Sequence, residues 1–173
     1  MQEVSLWLVP QREDGQYLQA IINQLADQYQ APRFSPHVTV AGRLQVPEQY
    51  EVSLSNLATV TPILQLANQG LDHSSELFRT VYIRTAAAEP LLALRQQVYE
   101  LWPENIAKPF MPHISLIYKN LATPERQAII NSLNIKASFV FNPLAVVCPQ
   151  QPGGWTAVDT WQMLEQWPLK KAR

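Results

Sequence analysis

Two short stretches carry the residues with most chemistry to offer, SPHVTV at 35–40 and MPHISL at 111–116. They hold two of the three histidines, and each His follows a proline and precedes a hydroxyl residue by two positions: His37 with Thr39, His113 with Ser115. In an extended strand residues i and i+2 share a face, so each stretch projects an imidazole and a hydroxyl together. Val38, Val40, Ile114 and Leu116 then point the opposite way, into a core. Pro36 and Pro112 push Ser35 and Met111 toward extended geometry and donate no ladder hydrogen bond, which suits the start of a strand.

Two imidazoles on one cavity make an acid and base pair, because an unperturbed His has a pKa of about 6.5 and either ring can hold or lack its proton. Cleavage of a phosphodiester uses both roles. One ring takes a proton from an attacking water, the other gives one to the departing oxygen, and each transfer contributes roughly 10² to 10⁴ in rate. The hydroxyls of Thr39 and Ser115 would hold the non-bridging phosphate oxygens. No metal is required. A single His-x-Thr is an ordinary feature of strands; two copies in matching registers are not.

Zinc is the competing reading, since it accepts neutral imidazole. His-x-Thr offers no second strong donor at close spacing, however, and His73, in LDHSSEL, reads as an exposed turn residue. Cys148 closes an apolar run before Pro149 and reads as a buried filler. Trp7, Trp102, Trp155, Trp161 and Trp167 are assigned to core packing. Tyr118, three residues after Ser115, has two equal readings, at the cleft mouth or packed at a strand end. Phe78 could stack on a base. Arg33, Arg43, Lys108 and Lys119 flank the motifs and could attract a phosphate.

The elements that must place these residues follow from periodicity. Val4–Val9 reads as a strand stopped by Pro10. Leu18, Ile21, Ile22, Leu25 and Tyr29 gather on one helix face. His37–Val40 is a short strand, and Val46-Pro47-Glu48 opens a second helix. Thr61–Ala67 and Gly70–Ser74 read as separate extended or turn segments. The order then restarts: a strand at Thr80–Arg84, a helix face at Leu91, Leu94, Val98 and Leu101, and a strand at His113–Tyr118. A helix at Thr123-Pro124-Glu125 follows, with Thr123 as its cap. Ser138–Val147 and Thr160–Leu164 are closing strands.

Trp7 precedes His37 by 30 positions and Tyr82 precedes His113 by 31; His37 precedes Pro47 by 10 and His113 precedes Pro124 by 11. The expectation is therefore one α+β domain over residues 1–173, made of two β-α-β-α-β lobes related by a pseudo-two-fold axis, with approximate halves 1–78 and 79–173. Each lobe has a mainly antiparallel sheet with helices outside and the His strands lining the cleft between.

The 173-residue chain has a formal net charge of −1, with 47% hydrophobic and 16% charged residues. That is a globular composition. It lacks the cationic excess for an extended nucleic acid, though not for a small anion. The single cysteine excludes an intrachain disulfide, and no window approaches the run of about 20 apolar residues that spans a membrane. A cytoplasmic monomer with no cofactor is the expectation.

The paired motifs PHVTV at 36–40 and PHISL at 112–116 resemble the 2H phosphoesterase superfamily. With the opening SLWLVP and the repeated order, the chain is similar to its cyclic phosphodiesterase branch over essentially its whole length. That resemblance implies hydrolysis of cyclic phosphates on ribose, nucleoside 2′,3′-cyclic phosphates to 2′-phosphates and ADP-ribose 1″,2″-cyclic phosphate to the 1″-phosphate. By position His37 and His113 are the acid and base, His113 activating water. Thr39 and Ser115 hold phosphate, and Tyr118 matches a tyrosine after the second motif. Some members carry extra cysteines that pair across loops; with Cys148 alone, such redox control is not expected. The alternatives are an RNA-end-processing or 2′-5′ ligating member of the superfamily, which the near-neutral charge disfavours, and a nucleotide-binding module without catalysis, which the intact motifs disfavour.

Overall fold

The computed structural model describes residues 1–150 and 153–172. Strand β1 (Gln2–Pro10), helix α1 (Arg12–Tyr29), β2 (Val38–Val46), α2 (Tyr50–Val60) and β3 (Leu64–His73) come first. They are followed by a 3₁₀ turn (Leu77–Arg79), β4 (Val81–Thr85), α3 (Glu89–Leu101), β5 (His113–Ile117), α4 (Thr123–Ser132) and β6 (Ser138–Pro149), and finally β7 (Trp161–Trp167). The class is α+β, and no described helix is long and apolar enough to cross a membrane.

Every pairing between these strands is antiparallel, in the order β1-β2-β5-β4-β3-β6-β7, and β6 also pairs with β1. Six strands thus close into a ring. The ring is knitted by exchange: β3 pairs with β4 and β6 returns to β1. Like strands also meet, β3 with β6 and β2 with β5.

The β2–β5 contact is the one that matters for the histidines. Its ladder has a single pair, Val38 with Ile114, both fully buried. In an antiparallel register that pair sets His37 opposite Ser115 and Thr39 opposite His113, with all four on the other face of the strands. The buried face carries Val38, Val40, Ile114 and Leu116, and helices α1 and α3 pack on it through β5 and β2 respectively. Leu18, Ile22 and Leu25 supply the buried stripe of α1; Leu91, Leu94 and Val98 supply that of α3.

Three expectations about element boundaries change. β2 runs on to Val46, because a register shift opposite Ser5 lets it follow β1 to its first residues, so α2 starts at Tyr50 and not at Pro47. The two segments around Gly70 are one strand, bulged where Asn68 Oδ1 accepts the Gly70 N–H at 2.7 Å; Gly70 has φ 107°, a left-handed conformation that favours glycine. Thr123 lies inside α4, whose cap is Ala122. The Ala122 N–H donates to Glu125 Oε2 at 2.9 Å, and the Thr123 hydroxyl instead accepts from Arg126.

Because Val38 and Ile114 form the whole ladder between β2 and β5, truncation there should cost stability and site geometry together. Ile114→Ala should lower the free energy of unfolding by about 2–5 kcal/mol, the range for deleting a buried aliphatic side chain. Urea denaturation measures this; a loss under about 0.5 kcal/mol would show that the seam is not under packing load.

Candidate active site

Each imidazole is tethered in the same way. His37 Nδ1 lies 2.7 Å from the Ser35 carbonyl oxygen, and His113 Nδ1 lies 2.9 Å from that of Met111. A carbonyl only accepts, so Nδ1 carries the proton in both rings, and in the neutral tautomer the lone pair sits on Nε2. In both motifs proline stands between the carbonyl and the histidine, and its locked φ holds the geometry of that bond. The two prolines are thus part of the site as well as strand starters.

The matched spacing of Trp7 and Tyr82 has a physical meaning in the fold. Trp7 pairs across the ladder with Thr39 and stacks flat on His37, centroids 3.5 Å apart and planes 4° from parallel. Tyr82 pairs with Ser115 and meets His113 edge-on at 5.2 Å. Equivalent positions in the two repeats therefore back each histidine with an aromatic ring. Trp7, assigned to the core from sequence, is a wall of the site.

A cavity of about 380 Å³ collects these groups, with His37, Thr39, His113, Ser115 and Tyr118 all on its lining. Tyr118 is buried, stacked on Phe34 at 3.9 Å and edge-on to Phe78 at 5.4 Å. It therefore packs at the strand end and lines the cavity at once, which joins its two readings. Trp155 and Trp161 also line the cavity instead of closing the core; Trp161 touches Trp7 at 5.6 Å and Tyr118 at 5.7 Å. They sit after β6, far in sequence from both motifs, and only the β6–β7 pairing carries Trp161 back to the site. Trp102 is buried in the core as expected.

The other candidates divide. Phe78, Arg43 and Lys108 line the cavity, whereas Arg33 is ion-paired with Asp27, and Lys119 donates to the Gln30 carbonyl. His73 is the last residue of β3, half-buried and not on the cavity wall, and its Nδ1 is buried without a hydrogen-bond partner among the described residues. Its assignment to an exposed turn is thereby corrected, since pairing with Val81 draws it into the sheet. Cys148 is a buried free thiol. Ser5, Gly42 and Arg79 also line the cavity and carry no motif that would single them out.

The aromatic walls strip water from the histidines. Burial lowers the His37 pKa to about 3, against the opposing pull of the Ser35 hydrogen bond, and nearby His113 lowers it further. His113 is also lowered, first by burial and then by Arg79, with hydrogen bonds to the Met111 and Phe78 carbonyls opposing. Both shifts favour the neutral ring at neutral pH. Ser115 Oγ donates its one proton to the Phe78 carbonyl at 2.8 Å. Burial pushes the Tyr118 pKa up, with a side-chain hydrogen bond between it and Ser115 opposing.

A family described as cyclic phosphodiesterase-like protein matches residues 1–165. A protein of Arabidopsis thaliana named cyclic phosphodiesterase is 23% identical over 128 residues, which cover 71% of this chain and 68% of that protein. Among solved structures, TT0787 of Thermus thermophilus is similar with a TM-score of 0.65 at 17% identity, over 99% of this chain and 100% of that one. LigT of E. coli complexed with 3′-AMP gives a TM-score of 0.62 at 16% identity, with 98% of both chains covered. These two structures share the fold. The family match runs from the first residue into β7 and takes in both His strands, and the chain therefore belongs to the cyclic phosphodiesterase-like family of 2H phosphoesterases and is a phosphodiesterase.

Proposed function

We propose that this enzyme hydrolyses cyclic phosphodiesters on ribose without a metal, acting as a cytoplasmic monomer on small nucleotides. Its substrates would be nucleoside 2′,3′-cyclic phosphates, opened to 2′-phosphates, or ADP-ribose 1″,2″-cyclic phosphate, opened to the 1″-phosphate. The observation that carries this reading is the convergence of His37 and His113 on one cavity, each facing the other motif's hydroxyl across the Val38–Ile114 pair.

The chemistry follows from the tethers. With Nδ1 protonated and bonded to a carbonyl, His113 presents an Nε2 lone pair that can take a proton from water as its oxygen attacks phosphorus. As the bond between phosphorus and the 3′ oxygen breaks, that oxygen takes a proton from His37 Nε2. Thr39 stands beside the rings to hold a non-bridging oxygen, and Ser115 joins it when its hydroxyl turns from the Phe78 carbonyl to the phosphate. Phe78, Tyr118 and Trp161 give a base a stacking wall. A buried lone cysteine agrees with a reducing setting.

His37 faces one requirement: held near a pKa of about 3 it carries no extra proton at neutral pH, so it can serve as acid only once a bound phosphate anion raises its pKa. Phosphate binding should therefore take up a proton. Titration calorimetry of a 2′-nucleotide in buffers of different ionisation enthalpy should show net uptake at pH 7, with affinity falling as pH rises. No uptake, or tighter binding at higher pH, would rule out this charging step.

His37→Ala and His113→Ala should each reduce turnover of a 2′,3′-cyclic mononucleotide by about 10²-fold or more, the scale of one lost proton transfer. Circular dichroism should show the folded state retained, and His37→Gln gives a second variant that fills more of the buried space. Full activity in a folded variant would sink the assignment. A chelator should leave the wild-type rate unchanged, and loss of activity that added zinc restores would replace this mechanism with a metal-assisted one.

A further inference from the structure

Helix α4 buries Ile129 and, one turn before it, Arg126, which is 8% exposed. An arginine is out of place there on two counts. The inward face of a helix calls for apolar residues, and a cation in the first turn meets the positive end of the helix dipole. The guanidinium keeps its charge when buried, and it makes no ion pair among the described residues. Burial on those terms is costly unless the donors are used.

Nη1 donates to the Ser74 carbonyl at 2.6 Å and Nη2 to the Thr123 hydroxyl at 2.9 Å, while Nε is buried without a hydrogen-bond partner among the described residues. Arg126 is not on the lining of the catalytic cavity. We propose that it is a positioning residue: through Ser74 it holds the 3₁₀ turn Leu77–Arg79, and so the Phe78 ring on which the base of the substrate stacks. The inference rests on the nucleotide reading above and deepens it.

The turn needs holding because the core does not pack it. None of Leu77, Phe78 and Arg79 is buried, so the segment lacks apolar anchors and depends on polar ties. Ser74 closes its base, with N–H and hydroxyl both donating to the Arg79 carbonyl at 3.0 and 2.8 Å. Thr80 Oγ1 lies 2.9 Å from the carbonyls of Leu77 and Lys119, which ties the far side of the turn to the chain just past β5. The third tie is the Ser115 hydroxyl on the Phe78 carbonyl.

These ties differ during the reaction. When Ser115 turns to the phosphate, its bond to Phe78 is lost while substrate is bound. The loop closed at Ser74 and the Thr80 tie must then keep the Phe78 ring beside Tyr118 and Trp161, at 5.4 and 5.9 Å between centroids. Ser74 is itself held from outside by a charge-assisted hydrogen bond screened from water. Helix α4 packs on β3 and β4, the strands before and after the turn, so a clamp from this helix spans the gap between them.

The test is steady-state kinetics on adenosine 2′,3′-cyclic phosphate and on methyl riboside 2,3-cyclic phosphate, which has no base to stack, with thermal unfolding measured for each variant. The ratio of kcat/KM, nucleotide over riboside, reports the stack. Arg126→Met removes the donors and should lower that ratio by about fivefold or more, within the range of one base–aromatic stack. The riboside should lose far less. Arg126→Lys should restore part of the ratio. Phe78→Ala should lower it too, and adding Arg126→Met should then lower it little further, since both act on one ring. If Arg126→Met does not fold, Arg126→Gln is read by the same two criteria. Equal losses on both substrates, losses that multiply in the double variant, or a wild-type ratio near one would each overturn the positioning role. A wild type that turns over neither substrate overturns the nucleotide reading instead.

Discussion

The hydrogen bond between each imidazole and the carbonyl two residues earlier is the constraint on which the site depends. It decides which nitrogen of His37 and His113 holds the proton, because the partner oxygen cannot donate. It also fixes the orientation of each ring on the wall of the cavity. Proline between the two bonded groups removes the backbone freedom that would let the ring swing away. A His without this tether would have two tautomers and several rotamers to choose among.

Dryness is the second half of the design. Trp7, Tyr82 and the Phe34–Tyr118 stack exclude water from around the rings and keep them uncharged. To one side the same cavity is lined by Arg43, beside Glu3, by Arg79, ion-paired with Glu76, and by Lys108. On the reading proposed above, aromatic contact and proton transfer occupy neighbouring parts of one cavity, with cationic side chains at its edge. Near-zero net charge does not report such a division, since it averages over the whole surface.

Much of this is legible in the residues. His37, Thr39, His113 and Ser115 announce themselves because strand alternation and the paired spacing depend only on local geometry, and the amphipathic faces of α1 and α3 emerge for the same reason. What local geometry cannot show is pairing at a distance. Trp155 and Trp161 read as core because nothing in their neighbourhood says that β7 returns alongside β6 next to β1. Gly70 and the Ser5–Arg43 irregularity are illegible because a bulge interrupts the alternation that defines a strand, so β3 reads as two pieces and β2 reads short. The spacing of Trp7 and Tyr82 is visible as arithmetic, while its cause, an aromatic ring behind each histidine, needs the ladder registers.

The exchange of end strands has a consequence for how such a molecule can come apart. Each β-α-β-α-β run leaves its own first strand short of a neighbour and supplies its third to the other run. Neither half holds a complete sheet, so cutting the chain between them would yield two fragments that regain order only by reassociating. The single polypeptide thus has the connectivity of a strand-swapped pair, with one histidine-bearing strand and its hydroxyl, Thr39 or Ser115, supplied by each run.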